Sequence, residues 1–280
     1  IPDWPLGTQQ LNAPSGYHDL AFDAAGFIYG ADGNNNAIVK VDSGNNVSIF
    51  AGNTGMIQQM EWLPSGDMAV ASDQQGAIIL VSPIGGVSLL TSDVRAYGLV
   101  LGVDGYLYAA NDDITRIDIN TGQKQVIFNH PGGWRARVLN WNPDKTKMYV
   151  GTLFGNGNVY AFDTDPVTLD LLSGANVFAS GVGTGSYHDT LGVDVCGYLY
   201  VSDYSTSATY RIHPNGQQVQ TLMDPSLNKY GHGMEWGNGV DVWDDFTIFQ
   251  SQPYGGNGVV LHDIGVPRMD HYAGNVINLP

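Results

Sequence analysis

The stretch that decides the fold of this 280-residue chain is Leu191-Gly-Val-Asp-Val-Cys-Gly-Tyr-Leu-Tyr-Val-Ser-Asp203. Its Asp-x-x-Gly turn separates two short runs of apolar and small residues, which is the pattern of a tight β-hairpin. Five segments of the same kind begin at Leu20, Met60, Leu99, Leu139 and Met234. The six copies start 39 to 52 residues apart. A period of this length is typical of propeller blades.

Most copies continue into two further short runs rich in β-branched and aromatic residues, as at 209–213 and 219–222. Four strands in each of six copies predict an all-β fold, a six-bladed β-propeller with four-stranded blades around a central channel. The 37 glycines, 15 tyrosines and 14% of charged residues agree with this class. We expect residues 1–280 to form a single domain. A strand from residues 1–13 or 275–279 should close the last blade, so that no sheet edge stays exposed.

The charge of the chain limits the classes of partner. A net charge of −16 excludes a basic nucleic-acid surface. No apolar run reaches the length of a membrane-spanning helix, so no membrane insertion is expected. Cys196 is the only cysteine, so no internal disulfide forms. The start at Ile1 rather than Met predicts a processed, exported protein. The partner expected on these grounds is a small molecule or a short peptide.

The residue two places before the first apolar residue of each copy is predicted to lie at one end of the channel, because a propeller gathers the starts of its inner strands there. We call these six the mouth residues: His18, Gln58, Tyr97, Arg137, Asp189 and His232. Two imidazoles, a carboxylate, a guanidinium, a phenol and an amide form a set that suits chemistry better than packing.

Histidine recurs in three neighbouring blades. Tyr17-His18-Asp19 is repeated as Tyr187-His188-Asp189, and Tyr230-Gly-His232 belongs to the blade between them. Imidazoles favour a transition metal such as zinc or copper, whereas calcium prefers oxygen ligands. His18, His188, His232 and Asp189 are therefore the predicted metal ligands. In register, His18 aligns with Asp189 rather than with His188, and a β-bulge would restore the equivalence of the two copies.

The repeated phrase apolar-x-apolar-Asp-x-x-Gly-x-Leu-Tyr-Val-x-Asp resembles the senescence-marker-protein/gluconolactonase family and the related NHL-repeat propellers. The resemblance implies a lactonase-like enzyme with a divalent ion, calcium among others, held at the channel mouth by a Glu, two Asn and an Asp. Asp189 falls on the Asp position of that set. His18 stands at the Glu position, and Tyr97 and Arg137 stand at the Asn positions, so one ligand of four matches.

The mouth residues are also similar in type to those of peptidyl-hydroxyglycine amidating lyases, six-bladed propellers in which three histidines hold zinc. That resemblance implies a lyase in which His18, His188 and His232 are the ligands.

Three functions thus remain open from the sequence. The first is a metal-dependent hydrolase of a small ester or lactone, in which Asp19 or Asp189 is the general base. Arg137 and Tyr97 would stabilise the oxyanion, and Gln58, Arg137 and Tyr97 would bind substrate. The second is the zinc-dependent lyase. The third is a non-catalytic binding propeller of the NHL type.

Overall fold

A computed structural model describes residues 8–11, 16–130, 132–183, 187–222, 230–254 and 258–269. These residues form twenty-four strands in six four-stranded antiparallel sheets, and none of the described residues is helical. The inner strands contact one another in sequence around the channel, and the last contacts the first. The predicted six-bladed propeller is confirmed. No described segment is a helix long and apolar enough to cross a membrane.

The first three blades repeat one pattern, in which the inner strand comes first and the outer strand last. Blade 1 consists of β2 (Tyr17–Phe22), β3 (Ile28–Asp32), β4 (Ala37–Val41) and β5 (Val47–Gly52). Blade 2 consists of β6 (Ile57–Trp62), β7 (Met68–Ser72), β8 (Ala77–Val81) and β9 (Val87–Ser92). Blade 3 consists of β10 (Gly98–Leu101), β11 (Tyr106–Asn111), β12 (Asp113–Asp118) and β13 (Lys124–Phe128).

Blades 4 and 5 follow the same order, and blade 6 takes its outer strand from the start of the chain. Blade 4 consists of β14 (Arg135–Trp141), β15 (Lys147–Leu153), β16 (Val159–Asp163) and β17 (Asn176–Ala179). Blade 5 consists of β18 (His188–Val193), β19 (Leu199–Asp203), β20 (Ala208–Ile212) and β21 (Val219–Thr221). Blade 6 consists of β22 (Met234–Trp236), β23 (Thr247–Gln252), β24 (Gly258–Asp263) and β1 (Thr8–Leu11).

The ring is closed by the N-terminal strand. β1 pairs with β24 in antiparallel register, from Thr8 opposite His262 to Leu11 opposite Val259. Of the two closing strands that the sequence allowed, the N-terminal one is therefore present, and residues 275–279 lie outside the described residues.

The Asp-x-x-Gly phrase works by holding the turn and the next strand together. Oδ1 of Asp194 accepts the backbone N–H groups of Cys196 and Tyr198 at 2.9 and 3.0 Å, and Oδ2 accepts the Tyr200 hydroxyl at 2.9 Å. Gly197 follows with φ 83°, a conformation that suits glycine. Asp23 and Asp104 make the same hydroxyl contact in blades 1 and 3.

The tyrosine fixed by this turn packs against a tryptophan of the following blade. The edge-to-face pairs are Tyr29 with Trp62, Tyr108 with Trp141 and Tyr200 with Trp236, with ring centroids 4.8 to 5.4 Å apart. Each such pair adds about 0.5–1.5 kcal/mol beyond its buried area. The repeated phrase therefore encodes both the hairpin and the blade-to-blade contact.

Candidate functional site at the channel mouth

Bulges at the starts of the inner strands carry most of the mouth residues. One extra residue enters the pairing of β2 between Tyr17 and Leu20, and another enters that of β6 between Ile57 and Met60. In β14 and β18 the extra residues are Arg137 and Asp189 themselves. A bulge turns side chains out of the regular alternation, and here it turns them towards one another. Both copies of the Tyr-His-Asp segment contain a bulge, so His18 stays in register with Asp189, and the expected equivalence of His18 with His188 is not restored.

The six mouth residues form one connected chain of contacts. Gln58 interacts with the His18 imidazole, and the His18 and His232 rings lie 4.9 Å apart between centroids. His232 Nε2 is 3.0 Å from Asp189 Oδ2, and Asp189 Oδ1 accepts from Nε of Arg137 at 2.5 Å. The guanidinium of Arg137 lies 3.7 Å from the centroid of the Tyr97 ring. Residues from all six blades therefore meet.

The Arg137–Asp189 ion pair carries the full charges among the mouth residues. Nε and Nη2 of Arg137 both approach Oδ1, and the side chains are only 8% and 1% accessible. Among the described residues, Nη1 of Arg137 has no hydrogen-bond partner, and the buried Oδ2 of Asp189 has no aligned donor. Burial raises the pKa of the Asp189 carboxyl, and the Arg137 charge opposes that shift.

The two histidines among the mouth residues, His18 and His232, are held in the neutral form. Burial, with the neighbouring His232 as second cause, lowers the pKa of His18 to about 4. Burial and the Arg137 charge lower the pKa of His232 to about 3. His18 Nε2 lies 3.3 Å from the hydroxyl of Tyr254, and its buried Nδ1 has no partner among the described residues.

Asp19 and His188, which the sequence predicted to belong to the site, form hydrogen bonds to backbone groups of other segments. Asp19 is buried, and its Oδ2 accepts the Met60 N–H of the next blade at 2.7 Å. Gln59 makes the same link to Leu99, so this position ties one inner strand to the next. Nδ1 of His188 accepts the Thr152 N–H, and Nε2 donates to the Val182 carbonyl, both at 3.0 Å. This geometry gives no support to Asp19 as a base or to His188 as a metal ligand.

A group of tyrosines that the sequence reasoning did not assemble surrounds the mouth. We call it the tyrosine collar: Tyr97, Tyr187, Tyr204, Tyr230 and Tyr254. The Tyr204 ring lies 4.9 to 6.1 Å from those of Tyr187, Tyr230 and Tyr254, and Tyr254 packs on His18. Tyr230 and Tyr254 are exposed, so the collar joins the buried charges to solvent. Tyr187 and Tyr230, which stand one and two places before His188 and His232, were a signal of this group in the sequence.

A second set of charged groups lies further along the inner strands. Arg268, in the segment after β24, bonds to Glu235, and its backbone bridges to Asp194 at the far end of β18. Burial raises the pKa of Glu61 to about 8, while the Arg268 charge opposes that shift. This cluster is a second group of interacting charges, with Arg268 as its cation and Glu61 and Glu235 as its carboxyl groups.

The residues of the mouth do not fit a divalent ion as they stand. Among the described residues, no group of three or more His, Cys, Asp and Glu side chains is arranged to hold a metal. Asp189, the one carboxylate in the chain of mouth residues, is paired with a guanidinium, and His188 is bonded to backbone through both nitrogens. Metal binding, predicted from the residue types, stays a prediction.

Solved structures of lactonase-like propellers share this fold. A gluconolactonase from Xanthomonas campestris is 16% identical, with a TM-score of 0.71, and the match covers 93% of this chain and 89% of that one. A calcium-binding protein, regucalcin, from Agrobacterium tumefaciens is 14% identical, with a TM-score of 0.71 and coverage of 94% and 93%. A luciferin-regenerating enzyme is 14% identical, with a TM-score of 0.68 and coverage of 93% and 96%.

At these identities the likeness shows the fold, and the predicted resemblance to lactonase-like six-bladed propellers is confirmed at that level. No protein-family model and no curated protein matches the sequence.

Proposed function

We propose that this protein hydrolyses a small, activated ester or lactone at the channel mouth. The observation that carries the proposal is the buried Arg137–Asp189 pair beside the neutral imidazole of His232, which places a cation, an anion and a base together under the tyrosine collar. The structural likeness to gluconolactonases supports the same reaction class.

His232 would accept the proton of the attacking water. Its Nε2 lies 3.0 Å from Asp189 Oδ2, and in the proposed tautomer Nε2 carries the proton and Nδ1 accepts one. Water oxygen attacks the carbonyl carbon and its proton passes to Nδ1, while the Asp189 carboxylate stabilises the imidazolium. The ester C–O bond then breaks, and the leaving alkoxide takes the proton back from His232. Ester and water thus give acid and alcohol, and the resting site is restored.

Arg137 would stabilise the oxyanion through Nη1, the part of the guanidinium that Asp189 leaves without a partner. Tyr97 holds the guanidinium face, and Gln58 orients His18. A base with a pKa of about 3 takes up a proton weakly. We therefore infer a substrate with a good leaving group or ring strain, such as an aryl ester or a lactone, rather than an amide.

The test is hydrolysis of para-nitrophenyl acetate and of δ-valerolactone by the wild type and by Asp189→Asn. We expect the variant to lose on the order of 100-fold in kcat/KM, because the imidazolium of His232 loses the carboxylate that would stabilise it. Arg135→Lys is the matched control, since Arg135 lies on the same strand but pairs with Asp112 away from the chain of mouth contacts. No turnover of either ester by the wild type, or equal turnover by Asp189→Asn, would refute the proposal.

The tyrosine collar favours a second candidate, a non-catalytic propeller that binds a ligand with a flat or ring-shaped face. Aromatic rings around a mouth bind such faces without chemistry. Quenching of tyrosine fluorescence by a small-molecule panel, unchanged in Asp189→Asn and accompanied by no hydrolysis, would select this function over the hydrolase.

A further inference from the structure

We infer that Arg137 is a built-in cation of the channel mouth, standing against Asp189 in place of a bound divalent ion. The inference concerns cation binding alone, so it does not depend on the proposed hydrolysis. It predicts that the wild-type mouth binds no divalent ion and that removal of the guanidinium creates a site that does.

The first support is the fixed position of the guanidinium. Nε and Nη2 both lie 2.5 Å from Oδ1 of Asp189, and the guanidinium carbon lies 3.7 and 5.3 Å from the ring centroids of Tyr97 and Tyr187. One edge is bonded and the faces are covered by aromatic rings, so the group has little freedom to move aside. Arginine keeps its charge at every accessible pH.

The second support is the way the cation is built into the fold. Arg137 is the extra residue of the β14 bulge, and Asp189 is the extra residue of the β18 bulge. Gly98 lets β14 approach closely, because a Cβ at that position would lie 2.8 Å from the Arg137 carbonyl oxygen. Three neighbouring blades therefore cooperate to bring the pair together.

The third support is the identity of the remaining donors. His18 and His232 are neutral imidazoles with their rings 4.9 Å apart, and His232 Nε2 is 3.0 Å from Asp189 Oδ2. Two imidazoles and a carboxylate are donors that a transition metal accepts. A divalent ion among them would stand beside the guanidinium, and the repulsion between these charges in a buried site is strong. The donor types suit a metal, and the charge of Arg137 keeps it out.

The charge balance explains why the chain needs either an arginine or an ion here. Asp189 is buried, and a buried carboxylate requires a paired positive charge. Without Arg137, that charge would have to come from a cation from solution, held with the help of the two histidines, or from protonation of His232 or of Asp189 itself, and titration with Co²⁺ separates these cases. The amide oxygen of an Asn at position 137 would add a further ligand.

The experiment compares Co²⁺ binding by the wild type and by Arg137→Asn, followed through the visible absorption of the bound ion. We expect the wild type to show no Co²⁺ absorption band that depends on Asp189. We expect Arg137→Asn to bind Co²⁺ more tightly than the wild type by on the order of 100-fold. Arg135→Asn is the matched control and should behave as the wild type does. Adding Asp189→Asn to Arg137→Asn should remove the new site, which separates it from adventitious binding to this acidic surface.

Two results would overturn the inference. One is a wild-type protein that binds an equivalent of Co²⁺ and loses it in His232→Ala or Asp189→Asn. The other is a folded Arg137→Asn variant that binds Co²⁺ no more tightly than Arg135→Asn. If Arg137→Asn does not fold, the wild-type titration still decides, because Asp189-dependent uptake there contradicts the inference and its absence upholds it.

Discussion

Arg137 and Asp189 form one unit at the channel mouth, because each would be costly to bury without the other. Their distance of 2.5 Å and low accessibility make them a single unit in energetic terms. The two charges of the pair offset each other, and burial together with the Arg137 charge lowers the pKa of His232, so the site has neutral imidazoles beside a buried ion pair. This arrangement differs from a metal centre, in which the positive charge is removable.

Removal of either member should destabilise the protein strongly. Breaking a buried pair leaves an uncompensated charge, so we expect Asp189→Asn and Arg137→Gln each to lower the free energy of unfolding by about 3–5 kcal/mol. The double variant should lose clearly less than the sum, since neither charge is then left alone. Urea unfolding of the four proteins measures this coupling. Strict additivity would mean that the two side chains do not act as a pair.

His262 provides a clean test of how burial sets stability against pH. It is buried in β24, and burial lowers its pKa to about 3 from the ordinary 6.5. Between those values the unfolded chain binds a proton that the folded protein does not, so this contribution is fully present above pH 6.5 and is lost as the pH falls towards 3. Between pH 7 and pH 5 the loss is about 2 kcal/mol.

We therefore expect His262→Gln to lose less stability than the wild type on going from pH 7 to pH 5, as measured by urea unfolding. Parallel slopes for wild type and His262→Gln would contradict the assignment.

The inner strands place the site through bulges and close approaches rather than through loops. Four inner strands start with a bulge, and glycine allows tight contact where no bulge is present. A Cβ on Gly98 would lie 2.7 Å from the Cα of Val138, and one on Gly233 would lie 2.5 Å from the Cα of Asp19. Backbone atoms cannot yield as a flexible side chain can, so these glycines fix the spacing of neighbouring blades.

Gly98→Ala should separate β10 from β14 and disturb Arg137. We expect a loss of about 1–3 kcal/mol of stability from overpacking, together with reduced hydrolysis. Gly52→Ala is the matched control, because a Cβ at that strand position would meet nothing within 4 Å. Equal stability of the two variants would show that the close approach is not needed.

Closure by β1 gives the ring its integrity. This strand supplies the fourth strand of blade 6 through pairing with β24, and blade 6 also supplies His232 to the mouth. A ring of blades depends on each blade-to-blade contact, so a loose last blade should weaken the whole molecule and the site together.

Deletion of residues 1–11 tests this dependence. We expect the melting temperature to fall by on the order of 10 °C, with aggregation through the exposed edge of β24. Thermal unfolding and size-exclusion chromatography measure the two effects. An unchanged melting temperature would show that β1 does not hold the ring.

The fold was predictable because one phrase encodes it locally. The Asp, Gly and Tyr of that phrase act within six residues of one another, as the contacts of Asp194 with Tyr200 show. The mouth residues were predictable from their common position in the repeat. The hydrogen bonds that tie Asp19 and His188 to backbone groups were not predictable, because the partners Met60, Thr152 and Val182 lie on other strands and loops. Tyr204 and Tyr254 lie outside the repeated phrase, so the tyrosine collar appears only in the assembled ring.

The most direct test of the central claim is ester hydrolysis by the metal-stripped protein. The claim is that the mouth works with Arg137 as its cation and His232 as its base. We predict that turnover of para-nitrophenyl acetate is unchanged by excess EDTA and falls by on the order of 100-fold in kcat/KM in Asp189→Asn. Turnover that disappears with EDTA and returns with a divalent ion would contradict the account.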